Sequence, residues 1–290
     1  MSVIRLTPRR VEKPWGRHQL WKGFDDVPPD GAPVGEIWFE TPPGLEADDP
    51  ELLIKYLFTS ERLSVQVHPD DADAHARGHP RGKSEAWQIL AAEPHALIGL
   101  GLLRHLNPAE LRAAAEDGSI THMIDWKPVR PGDFWYSPAG TVHAIGTGLV
   151  LVEIQQNADL TYRLYDYGRP RELHLDDGVA VARLRPYVVP FEPRDLVPGR
   201  RVQHAGDTFV VERWTKPFVG TLVATPSQPV WLVPLHGHAR VGSETIGNGG
   251  VWLANATVAL DLQPGIDMLV AYPGGEANVS LLSLDVADEA

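Results

Sequence analysis

Gly132-Asp-Phe-Trp-Tyr-Ser-Pro138-Ala-Gly140-Thr-Val-His143 reads as a β-strand, a Pro-x-Gly turn that reverses the chain, and a histidine just beyond the turn. A turn of that kind can hold a side chain rigidly at the mouth of a barrel. Upstream, Leu63-Ser-Val-Gln-Val-His68-Pro69 alternates strictly, which puts Ser64, Gln66 and His68 on one face and Leu63, Val65 and Val67 on the other. The apolar face needs a core. A hydroxyl, an amide and an imidazole at successive positions are expensive to bury without partners, so that face is either solvated or converges on a ligand. Between these stretches, Gly82-Lys-Ser-Glu85-Ala-Trp-Gln-Ile-Leu90 places Lys83, Glu85, Trp87 and Ile89 on one face. A Lys and a Glu two apart suggest exposure to solvent.

Outward from these segments, 27 glycines and 26 prolines punctuate short runs rich in Val, Ile, Leu, Trp and Thr, the pattern of many short strands. Only Asn107 to Gly118 reads as a firm helix, with Asn-Pro at its start and Gly118 as its stop. The chain is therefore mainly β, with few short helices. Its 290 residues, 43% apolar, suffice for two domains. Pro186, Pro190, Pro193 and Pro198 resist both helix and central strand, so the expected division is a domain over 1–185, a Pro-rich linker over 186–199 and a second domain over 200–290. The two sides share a faint repeat, Gly132 to Ala139 over Gly249 to Ala256. Extended, it sets Leu260 opposite His143, and matching Trp231 to Trp87 sets Pro229 opposite Glu85. If the overlay holds, the second copy lacks the polar site; the alternative is that Gly-x-hydrophobic-Trp simply recurs in a strand-rich chain.

Twenty-six Lys and Arg stand against 38 Asp and Glu, a formal charge of -12, which leaves no general electrostatic reason to approach nucleic acid or an anionic membrane. An anionic ligand must be held locally. The absence of cysteine excludes disulfides, thiolate metal sites and a Cys nucleophile, so any metal is bound by His, carboxylate or amide. No apolar run has the length of a signal peptide or a bilayer span, and the expectation is a soluble cytoplasmic protein, a monomer or weak homo-oligomer.

Gly132, Pro138, Gly140 and His143 match the second sequence motif of the cupins, and the two upstream stretches resemble the first, with Gln66 in place of its first histidine. This resemblance implies two cupin-type jelly-roll β-barrels in tandem. It also implies one divalent metal on Gln66, His68, Glu85 and His143, a nitrogen and oxygen set suited to zinc or a similar ion. The sequence departs from the common pattern in the sixteen residues, 69 to 84, between His68 and Glu85, and in Thr147 at the place of the usual terminal Asn.

Lys13-Pro-Trp-Gly16, Leu63 to Asp71, Gly82 to Trp87, Ser137 to Gly146, and Glu153 to Arg163 together resemble the type I mannose-6-phosphate isomerases in their short bacterial form, in colinear order from about Val11 to Arg171. The resemblance implies an aldose–ketose isomerisation of a small phosphosugar through an enediol(ate). That chemistry requires an electrophile, a base near C1 and C2, and an anchor for the phosphate. Glu153, Gln155, Asn157, Asp159, Thr161 and Arg163 share one parity, as if a single strand presented them all. By resemblance, Arg163 stabilises the enediolate or binds substrate, Lys83 and Asp159 handle protons, Ser64 and Arg169 meet the phosphate, and Lys55 belongs to the same site. Trp15 is either a core aromatic or a neighbour of the sugar. Without the flanking motif, Asp159 and Arg163 would be a solvated ion pair. Competing readings are a cupin dioxygenase or decarboxylase, against which Gln66 argues, an isomerase of an unphosphorylated sugar, and a non-catalytic sugar-binding or regulatory cupin.

Overall fold

A computed structural model of the chain describes residues 2–42 and 49–283. Of the expected domains, residues 1 and 43–48 of the first and 284–290 of the second lie outside these. The described residues form four antiparallel sheets with three short α-helices, a mainly β, cupin-type architecture.

The first pair of sheets encloses the polar site. The six-stranded sheet runs in the order Thr7–Arg17, Val34–Glu40, Leu52–Phe58, Leu149–Gln156, Glu85–Ala92, Phe134–Ser137. Facing it, the five-stranded sheet runs Tyr162–Tyr165, Val65–Val67, His143–Ile145, Leu97–Leu102, Ile124–Pro128. The Leu52–Phe58 strand shows why its sequence is nearly all apolar: Leu52, Ile54, Tyr56 and Phe58 face outward into a core shared with the second half, while Leu57 and Lys55 face inward. On Leu149–Gln156, Val150, Val152 and Ile154 look outward to the same core, and Leu149 and Leu151 inward. Phe209, Val211, Trp231 and Leu269 of the second half complete that shared core. At roughly 1.5–3 kcal/mol for each large apolar side chain removed from water, it binds the halves firmly together.

The expected helix is present as Pro108–Asp117, capped by Asn107, whose side chain accepts from Glu110 N while Glu110 returns the bond, and closed by Gly118 at φ 81°. It packs with Leu175–Val181 on the outer face of the five-stranded sheet, over Val65, Val67, Ala144, Tyr162 and Leu164. Val65 and Val67 thus have the core their alternation demanded. Leu63 does not join them: the regular strand begins only at Val65, and Leu63 turns into the interior cluster with Trp15, Trp87 and Ile89.

In the second half, a seven-stranded sheet faces a five-stranded one over an apolar interior. Two features cut across the expected division. Val3–Arg5 pairs with Trp252–Ala254 and so belongs to the second half's sheet, although it starts the chain. Arg194–Val197, inside the expected linker, is a strand paired with Arg200–Ala205, sitting at a sheet edge where neighbouring prolines are tolerated. The proposed repeat also needs a correction of register. Trp135 pairs with Trp87, but Trp252 pairs with Leu232, not Trp231, and Trp231 points into the core between the halves. A slip of one residue reverses the face, so the place of Trp87 is taken by Leu232 and that of Glu85 by Val230.

Candidate metal centre and active-site cavity

His68, Glu85 and His143 meet inside the first pair of sheets, their ligand atoms within 4.8 Å of one another and all three side chains buried. Each is brought there by a different local device. His68 follows the Val65–Val67 strand, and its carbonyl accepts from Gly140 N at 2.7 Å. Glu85 opens the Glu85–Ala92 strand. His143 begins His143–Ile145 after the Pro138 to Gly140 turn, and its backbone pairs with Gln66. Gly140 has φ 82°, and a Cβ there would lie 2.8 Å from Arg183 Cγ, so the turn requires glycine on both conformational and steric grounds.

The hydrogen bonds behind the two imidazoles decide their chemistry. Nδ1 of His68 donates to the Leu160 carbonyl at 2.8 Å, and Nδ1 of His143 donates to the Thr141 carbonyl at 2.9 Å. A carbonyl can only accept, so each Nδ1 carries the proton and each Nε2 presents a lone pair. These lone pairs face a carboxylate, His68 Nε2 lying 3.2 Å from Glu85 Oε1 and His143 Nε2 3.5 Å from Oε2. Burial pushes the His68 imidazole down to about 3, helped by the nearby Lys83 charge, and lowers His143 in the same way. Burial by itself would raise the Glu85 carboxyl, but the Lys83 ammonium beside it holds it well below the ordinary range. Three buried acceptors with no proton among them therefore converge on one point. That donor set fits a divalent cation, with backbone carbonyls orienting both histidines.

Gln66 reaches the same point, its amide nitrogen 3.2 Å from His143 Nε2 and its oxygen accepting from Ser64 Oγ at 3.2 Å. Oxygen and nitrogen of an amide are set by the hydrogen-bond network, so a half-turn presents the oxygen to a cation.

A cavity of about 140 Å³ opens from this centre and is lined by Trp15, Lys55, Ser64, Gln66, Lys83, Glu85, Asp159 and Arg163 among others. Lys83 and Glu85 were read from sequence as a solvent-exposed pair; they are instead buried, Nζ 2.9 Å from Oε1. Burial would lower Lys83, but Glu85 and then Glu153 outweigh it, and the ammonium is held above its ordinary pKa. Lys55 is lowered by burial and then by the Lys83 charge; its Nζ lies 3.5 Å from Glu153 and 4.3 Å over the Trp38 ring. Glu153, bonded by Trp87 Nε1 at 3.1 Å, is pushed up to about 7 by burial and then by the Glu85 charge.

Two sequence expectations change here. The single strand carrying Glu153 through Arg163 is broken: Leu149–Gln156 ends, the chain crosses between sheets, and Tyr162–Tyr165 continues in the other. Glu153, Asp159, Thr161 and Arg163 still reach the cavity. Arg169 does not line it. Its guanidinium is taken up by Asp166, at 2.8 Å, and the Arg62 carbonyl, at 2.7 Å. Arg171, which Asp166 also holds, lines the cavity instead. Missed altogether were Lys13, Glu36 and Trp38. Glu36 accepts from Trp38 Nε1 at 2.5 Å and lies 3.5 Å from Lys13 Nζ. Their signal was available, since Glu36 and Trp38 share one parity in Val34–Glu40 while Ile37 and Phe39 share the other.

Comparison with known proteins agrees with the mainly β, cupin-type fold. No family model matches the chain. The mannose-6-phosphate isomerase ManA of Bacillus subtilis is 44% identical over 145 residues, 47% of this chain and 45% of the relative, so the match spans less than half that relative's length. The probable mannose-6-phosphate isomerase GmuF of the same organism is 32% identical over 252 residues, 80% of this chain and 70% of the relative. Among solved structures, the mannose 6-phosphate isomerase from Bacillus subtilis superposes with a TM-score of 0.79 at 26% identity, over 93% of this chain and 99% of that one. The chain belongs to the mannose-6-phosphate isomerase family.

Proposed function

We propose that the chain interconverts mannose 6-phosphate and fructose 6-phosphate, using a divalent ion, zinc by preference, held by Gln66, His68, Glu85 and His143. The observation that carries this reading is the convergence of two Nε2 lone pairs and a carboxylate on one buried, proton-free point. A bound divalent ion supplies a Lewis acid for the oxyanion that develops as a proton moves between C1 and C2. Around it, Lys83 stays protonated against Glu85 and can donate a proton. Asp159 stands at the exposed mouth of the cavity as a proton acceptor, and Glu153, near pH 7 in its titration, can exchange a proton within the cavity. Arg163, whose Nε is buried and unpartnered, faces the substrate as an enediolate or phosphate ligand; Arg171 takes the phosphate role first given to Arg169, alongside Ser64. Trp15 and Lys55 close the inner wall.

Five cationic side chains line the cavity against four carboxyls, before any metal is added, in a chain of formal charge -12. That local reversal of sign favours a phosphorylated sugar over a free one. Among the described residues no helix is long and apolar enough to cross a membrane, and we assign the activity to the cytoplasm and to a monomer or weak homo-oligomer. The second pair of sheets, with an apolar interior, is read as a metal-free partner domain. The test is a coupled assay of chelator-treated and zinc-reloaded protein on mannose 6-phosphate and on free mannose. Turnover of the phosphorylated sugar that depends on added metal is expected; a folded, metal-loaded chain that turns over neither sugar overturns the reading.

A further inference from the structure

A cavity of about 780 Å³ holds none of the metal-centre side chains and lies between the two halves. One wall is Ser84, Tyr136, Ala139 and Thr141, the other His204, Gly206 and Asp207, and the Pro-rich segment with Arg183 and Arg185 forms the rim. Three observations mark it as a built site. His204 is 2% exposed, and neither ring nitrogen has a hydrogen-bond partner. Its ring is stacked on Tyr136 with centroids 3.5 Å apart, and Gly206, where a Cβ would lie 2.8 Å from Nε2, leaves room beside that buried nitrogen. The Arg183 and Arg185 guanidinium groups are exposed and carry no ion pair, unlike Arg169 and Arg171 nearby in sequence. The carboxylates of the opposite corner are occupied internally: Asp70 accepts from Asp73 N, and Asp71 from Gly82 N and Gln156 Nε2. Asp207 alone stands at the exposed rim.

We propose that this cavity is a second binding site, for a small phosphate anion or phosphate monoester, with Arg183 and Arg185 on the phosphoryl oxygens and His204 donating from the buried end. Guanidinium forks suit phosphate geometry, and a neutral imidazole retains one N–H to give. Burial keeps His204 neutral, its pKa pushed down to about 4. The site is joined to the metal centre by backbone: Arg183 N donates to the Gly140 carbonyl at 2.7 Å, and Gly140 N to the His68 carbonyl at 2.7 Å. Ser84, which lines the cavity, directly precedes Glu85.

The test titrates the metal-free full-length chain, calorimetrically, with inorganic phosphate and with glycerol 3-phosphate, so that binding is read without turnover and does not depend on the isomerase reading. Saturable binding is expected, tighter for the ester if an organic phosphate is the natural occupant and tighter for phosphate if the free ion is. Run in an Arg163→Gln background, which removes a phosphate ligand of the other cavity, the double variant Arg183→Gln, Arg185→Gln should weaken the remaining binding by about tenfold or more, the loss of two charge-assisted partners. Absence of saturable binding, an unaltered double variant, or abolition by Arg163→Gln overturns the proposal. Should the double variant misfold, the imidazole resonances of His204 in the unmodified chain decide: phosphate must shift them, and unmoved resonances at saturation overturn the site.

Discussion

Each half of the molecule buries a glutamate deep between its sheets, and the two are treated in opposite ways. Glu212, fully buried in the second half, is saturated with donors: Arg200 through Nε at 2.5 Å and Nη2 at 2.9 Å, Trp214 Nε1 at 2.8 Å, and the Tyr272 hydroxyl at 2.5 Å. Glu85, in the first half, faces two imidazole lone pairs, and its one cation, Lys83, touches a single oxygen. A buried carboxylate is stable only when paired and hydrogen-bonded. Glu212 has every partner it needs within the chain, whereas Glu85 has one cation and two facing lone pairs, the arrangement on which the proposed metal site rests. The difference separates a structural ion pair from a ligand site, although burial is the same in both.

Neighbouring positions repeat the contrast. Strand pairing sets Leu260 between Gly220 and Val241 as His143 is set between Gln66 and Leu100. The second half therefore has Gly220, Leu260 and Val230 where the first has Gln66, His143 and Glu85, and apart from the Glu212 network its interior is apolar.

The sharpest way to break the comparison is to neutralise each glutamate in turn. Glu85→Gln is expected to lower metal affinity and metal-dependent activity by more than about 100-fold, as removal of a charged ligand should exceed the 10–100-fold cost of altering an outer partner, and to destabilise the metal-free protein less than Glu212→Gln does, because Lys83 keeps Glu153 nearby. Glu212→Gln should do the reverse, destabilising by roughly 3–5 kcal/mol because Arg200 is left buried and unpaired, with metal stoichiometry per folded molecule unchanged. A Glu212→Gln protein as stable as its parent would show that saturation of that carboxylate is not what holds the second half.

Glu153 gives a pH-dependent version of the same contrast. Its folded pKa, about 7, lies above the ordinary 4.5, so the folded state holds a proton that the unfolded chain has released between those values. Stability contributed by this group is thus greatest in acid and falls as pH rises through that window. Metal-free Glu153→Gln is expected to be more stable than the parent at pH 8 by about 1–3 kcal/mol, with the gap closing below pH 4.5, as measured by urea titration at each pH. A smaller effect is expected of Arg171→Gln, which should raise KM for the phosphorylated sugar by roughly tenfold, the worth of one charge-assisted contact, with kcat little changed and Arg169→Gln doing less.

The gathering of His68, Glu85 and His143 was legible through the resemblance of their segments to the cupin motifs, and the three side chains do meet at one buried point. The fold class was legible from punctuation by Gly and Pro, and the helix at 108–117 from its cap and stop. Other features depended on tertiary partners that no local pattern records. Lys83 and Glu85 look exposed until the opposing sheet covers them. Arg169 and Arg171 are indistinguishable in sequence, and only Asp166, which clamps both, leaves Arg171 at the cavity. The Trp231 overlay failed by one residue, enough to turn a side chain from the barrel interior to the core between the halves, and nothing in Val3–Arg5 announces that it pairs some 250 positions away.

The most direct measurement is the metal content of purified His143→Ala beside the unmodified chain, after dialysis against zinc, with melting monitored on the same samples. One ion per unmodified chain, none in a variant that melts cooperatively near the same temperature, and loss of mannose 6-phosphate turnover in step with the metal are the predicted results. Full metal occupancy in folded His143→Ala would contradict the account, because the convergence of lone pairs at Glu85 would then not be what binds the ion.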